Sequence, residues 1–217
     1  MKKSKAKISP LKLVFFLLAI SFFIFFTIFT LIVKSKILAQ FDFDTMVRIQ
    51  NHTPQKFDSF LSLFSLIGSF EITTVFLFLI FFLIGKKLFA LAAFFSFSLA
   101  HLIEVIGKMF FDHLGPSFRF HRFNLGFSFP SSYVHAGGSY PSGHSLRSVF
   151  VVLIIAFLIN FSKKIKLKFK LLLNLFLLIF ICLMLFSRIS LGEHWLTDVV
   201  GGSLLGLALG FFSLIFL

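Results

Sequence analysis

Two short polar islands interrupt a chain otherwise rich in apolar residues: Pro141-Ser142-Gly143-His144, and the stretch from Ser187 and Arg188 through Glu193 and His194 to Asp198. Hydrocarbon penalises these side chains, so their place at the ends of apolar segments calls for a chemical reason. Histidine, arginine and aspartate together can handle a phosphate. Arg188 can clamp phosphate oxygens through two N–H donors, and Lys108, ending another apolar segment, supplies a point charge from a second direction. Converging cations stabilise the charge that develops on a transferring phosphoryl group. Asp198 follows His194 by one helical turn, the spacing at which a carboxylate fixes an imidazole tautomer and raises its basicity. His194 is therefore a candidate nucleophile. Around Pro141 a turn meets a helix start, so that Ser142 can cap while Gly143 lets an anion approach free backbone N–H groups. A lone lysine at a helix end usually snorkels, and a lone Ser-Gly is usually only a cap. The company of His144, His194 and Asp198 favours chemistry.

The elements that must position these residues are membrane spans. Of 217 residues, 58% are hydrophobic, 38 are Phe and only 13% are charged, against roughly 25% charged residues in soluble domains. That excludes an ordinary soluble enzyme and predicts an all-α, polytopic membrane protein. A spanning helix needs about 20 apolar residues. Six segments qualify, near 12–33, 62–85, 88–107, 144–162, 169–187 and 195–217. They predict a six-helix bundle forming one domain over 1–217. The first segment is too long for a signal-peptide core and has no small-residue cleavage site, which makes it a retained helix. From His194, steps of four reach Asp198, Gly202, Gly206 and Gly210, a stripe bare enough for close helix packing.

The formal charge of +13 would suit nucleic acid, but the cations cluster at segment ends. There they set topology or meet anionic lipid. Twelve of the 21 Lys and Arg fall at the N-terminus (Lys2 to Lys12), at Lys86 and Lys87, and between Lys163 and Lys170, with no acid among them. Asp42, Asp44, Asp58, Asp112, Glu193 and Asp198 fall on the opposite side. Both termini are thus expected in the cytoplasm of a cell (inner) membrane protein, and both polar islands outside it. The single cysteine, Cys182, lies in an apolar run and permits no intramolecular disulfide.

These motifs resemble the type 2 phosphatidic acid phosphatase and haloperoxidase superfamily. The second part of its signature is Pro141-Ser142-Gly143-His144, and the third, Ser-Arg, five residues, His, three residues, Asp, is complete in Ser187, Arg188, His194 and Asp198. The first part is Lys, six residues, Arg-Pro, and here Lys108 is followed at that spacing by Gly115-Pro116, so the arginine is missing. Arg119 and Arg122 are candidates to supply its charge from the same loop. The resemblance covers about 88–217 and implies a membrane lipid phosphatase working without a metal or other cofactor. It implies that His194 attacks phosphorus, Asp198 orients it and His144 protonates the leaving group, while Lys108, Ser142, Gly143 and Arg188 hold phosphate oxygens. Phosphatidic acid, phosphatidylglycerol phosphate and undecaprenyl pyrophosphate are the substrates it suggests, with the lipid phosphate and membrane lipids as partners and no nucleic acid. A lipid phosphotransferase with the same intermediate and a silent lipid-binding protein are the alternatives. A channel is disfavoured, because the ionisable groups gather at one interface.

Other polar residues stay open. Met109 to Tyr140, with Gly115, Pro116, Gly126, Pro130, Gly137 and Gly138, predicts an irregular loop over the site. Within it His113, His121 and His135 fit no metal spacing and are expected to face solvent. Arg147, one turn after His144, either touches substrate or pairs with an acid. Glu104, one turn before Lys108, forms either a relay with His101 or a structural pair. Glu71 faces the cavity or the interface.

Overall fold

The computed structural model describes residues 9–127, 129 and 138–217, the side chains of residues 83 and 84 apart. Pro10 opens helix α1 (Pro10–Lys34), a position where its fixed φ suits the first turn and its missing N–H has no partner to lose. The following apolar run sustains 25 residues of helix, enough to cross a hydrocarbon core of about 30 Å. The further helices are α2 (Ala39–His52), α3 (Asp58–Ser65), α4 (Phe70–Ile84), α5 (Lys87–Phe110), α6 (Gly143–Phe161), α7 (Leu167–Ser190) and α8 (Leu196–Leu214). No strand occurs among the described residues. Helices α1, α5, α6, α7 and α8 are each long and apolar enough to cross a membrane.

The expected second span, 62–85, is not one continuous helix. It is a bent pair, Gln55–Gly68 and Phe70–Phe82, angled by 48°. Ser69 causes the break: its backbone is extended and its hydroxyl accepts the Ile72 N–H (3.4 Å), starting a new helix. Gly68, just before the break, lies against Ser148, the His144 ring and Met184, with no room for a Cβ. The bend lets the chain pass directly behind a candidate site residue.

Helix α2 has no counterpart among the six expected segments. It is too short and polar to span, and its buried stripe is Asp42 and Met46, one turn apart. Met46 packs with Ile189 and Val199, tying α2 to the site ends of α7 and α8.

Helix α8 is the axis of the bundle, packed on α1, α5, α6 and α7. Its glycines make this possible. A Cβ at Gly202 would strike the Ser142 carbonyl, and one at Gly206 would lie 2.5 Å from the Leu146 carbonyl, so α6 and α8 touch backbone to backbone. Around them Phe26, Phe97, Tyr140, Leu146, Phe150 and Leu205 form the core. Helix α7 buries little of itself and turns Leu171, Leu172, Phe176 and Ile179 outward. On a soluble protein such a surface would aggregate; here it suits lipid.

Candidate active site

Both polar islands come to the same end of the bundle. Ser142 caps α6, its hydroxyl accepting from the Ser145 N–H (3.5 Å) and the Ser145 hydroxyl (3.1 Å). Its own N–H donates to the Asp198 carbonyl (3.0 Å), which pins the start of α6 to the start of α8. Gly143 lies against the Glu104 carboxylate and Arg147, where any side chain would collide. Gly107 of α5 sits under the Pro141 ring in the same way. Three helix ends thus converge on the Pro-Ser-Gly-His turn.

Asp198, fully buried, is the pivot. Its Oδ2 accepts the Trp195 N–H (2.9 Å) and the Ser139 hydroxyl, and it faces His194 Nδ1 at 3.4 Å. His194 N–H and Glu193 N–H both donate to the Arg188 carbonyl (3.1 Å each), folding the short α7–α8 connection so that the imidazole lies over the α8 N-terminus. Burial lowers the His194 pKa from its ordinary value despite the Asp198 carboxylate beside it, with Arg188 and Lys108 adding to the fall. Its imidazole is therefore neutral where a free histidine would begin to charge. His144, partly exposed at the head of α6, lies within reach of the charges on Arg188, Arg147, His194 and Lys108.

Arg188 is 2% exposed and, among the described residues, only its NH2 group is paired, to Glu193 Oε2 at 3.0 Å. Its Nε and NH1 are buried without a hydrogen-bond partner among the described residues. Unsatisfied donors on a buried guanidinium are costly, and an anion is what satisfies them. Lys108 Nζ donates to Glu104 Oε1 (2.8 Å), and Arg147 NH1 donates to Glu104 Oε2 (2.8 Å) while its Nε reaches the Gly68 carbonyl (3.2 Å). Of the two readings of Arg147, the structure places it with an acid. Glu104 also faces His101 Nδ1 at 3.0 Å, so it is the shared counter-ion of three bases.

Arg122 does not replace the arginine absent at 115. Its Nε and NH2 clamp Asp58 (3.0 and 2.7 Å), and its remaining bonds go to the Gln50 and Thr53 carbonyls. Every donor group is used to fasten the loop to α2 and α3. Arg119 stands exposed on the Phe118–Phe120 turn with no hydrogen bond or ion pair among the described residues. His113 does not face solvent as expected: its Nε2 is 3.2 Å from Asp198 Oδ1. His121 is more exposed and meets Glu193 at 3.2 Å, and His135 lies outside the described residues. Glu71 is half-buried, with Oε2 unpartnered among the described residues.

Sequence reasoning passed over Asp42 and Ser139. Asp42 accepts the Thr197 N–H (2.9 Å) and hydroxyl (2.6 Å), capping α8 from another helix. The spacing Asp42, Met46, Ile49, an apolar stripe carrying one acid, was the available signal. A cavity of about 620 Å³ lies beside the cluster, walled by Lys36, Asp42, His113, Gly115, Trp195 and Thr197 among others. It adjoins the imidazoles through His113 and Thr197 and does not enclose them. A second, of about 400 Å³, is bounded by Lys108, Asp112, Leu114 and Gly138.

The fold is similar to the crystal structure of a transmembrane PAP2-type phosphatidylglycerolphosphate phosphatase from Bacillus subtilis, with a TM-score of 0.70 and 23% identity over 90% of this chain and 94% of that one. It is also similar to LpxE from Aquifex aeolicus, with a TM-score of 0.58 and 25% identity over 79% of this chain and 93% of the other. No curated protein matches the sequence. The family model of the PAP2 superfamily matches residues 88–217, which include every motif residue described above. That match takes in more than half of the sequence, and the chain belongs to the PAP2 superfamily as an all-helical, multi-pass membrane phosphatase.

Proposed function

We propose that the enzyme hydrolyses a phosphomonoester or pyrophosphate of a membrane lipid through a phosphohistidine on His194. The observation that carries this reading is Arg188: a guanidinium sealed among protein atoms, with two donor groups unpaired, beside two imidazoles. Lys108, the Ser142 hydroxyl and the backbone at Gly143 complete the phosphate cradle. Among the described residues the hydrogen bonds of His194 involve Nδ1 or the main chain, which leaves Nε2 to attack phosphorus. The N–P bond forms as the P–O bond to the lipid breaks, and His144 gives its proton to the departing oxygen. His144 then takes a proton from water, water attacks phosphorus, and phosphate leaves with His194 restored. Asp198 keeps the proton on Nδ1 throughout.

Phosphatidic acid, phosphatidylglycerol phosphate and undecaprenyl pyrophosphate all fit this chemistry, and the Bacillus subtilis neighbour bears the name of a phosphatidylglycerolphosphate phosphatase. The lysine distribution supports a site on the extracytoplasmic face of the cell membrane, with both termini inside. The test is phosphate release by purified protein from these lipids in the presence of a chelator. Turnover is expected to persist with chelator and to fall at least roughly 10³-fold in His194→Ala. Undiminished turnover in that variant would reject the nucleophile. Phosphate appearing on an added lipid alcohol in place of water would make the enzyme a transferase.

A further inference from the structure

The two oxygens of Asp198 are treated unequally. Oδ2 receives Trp195, Ser139 and His194, whereas Oδ1 has no hydrogen-bond partner among the described residues. The cationic group nearest Oδ1 is His113 Nε2, 3.2 Å away, off the line of a hydrogen bond and likewise buried without a partner. The loop holds His113 there by its backbone. Its carbonyl accepts the Ser139 N–H (2.9 Å), its N–H donates to the Phe111 carbonyl (2.8 Å), and its ring stands edge-on to Tyr140 with centroids 6.1 Å apart. Two imidazoles therefore share one buried carboxylate, each on its own oxygen.

We infer that His113 is a positioning residue: as imidazolium it is the counter-cation of Asp198, leaving His194, on the other oxygen, neutral and able to attack. The inference rests on the reading of His194 as nucleophile and goes beyond it in saying where the positive charge resides. The groups facing His113 are Asp198 from α8, Asp42 from α2, Lys36 from the turn after α1 and Tyr140 ahead of α6. Its chain neighbour Asp112 turns outward to Lys36, at 3.4 Å. Lys36 is mostly exposed, so water screens its repulsion, while both facing carboxylates are buried. Burial alone pushes His113 down, but Asp198 and Asp42 outweigh it and its pKa is raised. For His194 burial wins and the pKa is lowered.

Environments that push two titrating groups apart assign them different roles. Between the two midpoints His113 is charged and His194 neutral, and Asp198 is neutralised without protonating the nucleophile. Falling pH charges His194 and stops the attack. Rising pH discharges His113, leaving Asp198 a buried carboxylate that the His194 ring alone must serve.

Histidine-selective ¹³C/¹⁵N NMR of the intact protein in micelles tests this, with His113→Gln and His113→Lys as variants and kcat/KM measured against pH on the same samples. His113 is expected to titrate above His194. In His113→Gln the His194 midpoint and the acidic limb of kcat/KM should move up by about one unit, an approximately tenfold loss at pH values below the limb. His113→Lys, which restores a cation, should return the limb towards its original place with KM little changed. An unmoved His194 midpoint in His113→Gln, or a His113 that titrates below His194, would overturn the inference. A wild-type chain inert towards every lipid phosphate would instead sink the functional reading, and the two midpoints would still decide the charge assignment.

Discussion

At the scale of single residues, the site separates charges that wait for a ligand from charges already spent. Among the described residues Arg188 has unpaired donor groups, whereas Arg122 has none, although the sequence makes both look like phosphate clamps. Arg188→Lys is therefore expected to lower kcat/KM by about ten- to a hundredfold, because an ammonium cannot reproduce the bidentate fork. Arg122→Gln should instead lower the unfolding temperature in detergent, since it strips Asp58 of its partner and frees the loop from α2. Arg119→Ala should change neither. The lowered pKa of His194 adds a pH prediction. If His194 is the nucleophile proposed above, its base form survives below pH 6.5, so the kcat/KM plateau should extend beneath the ordinary histidine value before falling. The stability sign is the same. The folded state binds this proton less readily than the unfolded chain, so His194 withdraws stability as pH drops through 6.5.

At the scale of elements, catalytic geometry depends on how closely α6 and α8 approach. The Ser142 N–H reaches the Asp198 carbonyl only because Gly202 and Gly206 present bare backbone to α6. Gly206→Val should pry the helices apart, lowering melting temperature and activity together, with a loss of about a hundredfold for a displacement near 1 Å. Gly126→Ala, at a loop position open to a side chain, should leave both unchanged. Glu104 plays the corresponding part on α5. It is 3% exposed and holds Lys108 and Arg147, so Glu104→Ala should cost on the order of 3 kcal/mol of stability by leaving those charges unbalanced. The glycine stripe was readable because its four-residue step has only one structural use in lipid. The break at Ser69 was not, since hydropathy averages across a single capping serine. Helix α2 escaped because its buried face pairs an acid with a methionine, and an apolar count does not register a carboxylate that caps a distant helix.

At the scale of the whole molecule, a girdle of exposed apolar side chains encloses a core that turns polar at one end. On α1 and α7 the outward residues are mostly Leu, Ile and Phe, while Arg188, His194 and Asp198 lie at the site end of the same bundle. Lys170 and the Asn160–Asn174 pair mark the other end. In a Cys182→Ser background, an impermeant thiol reagent applied to intact cells should modify a cysteine at Asn124 and spare one at Lys164. The reverse pattern would invert the topology. Five of the six spans, their order and the meeting of the two polar islands at one end were legible because hydropathy and motif spacing are local properties of the chain. His113 and Ser139 were not, because only folding decides which loop residue meets a carboxylate many positions away.

The claim on which the rest depends is that phosphorus passes through His194, and rapid-quench trapping with a ³²P-labelled lipid phosphate tests it most directly. An acid-labile, alkali-stable phosphoryl group is expected on the wild-type protein, forming before free phosphate and absent from His194→Ala. Steady turnover with no such label, or the same label on His194→Ala, would contradict it.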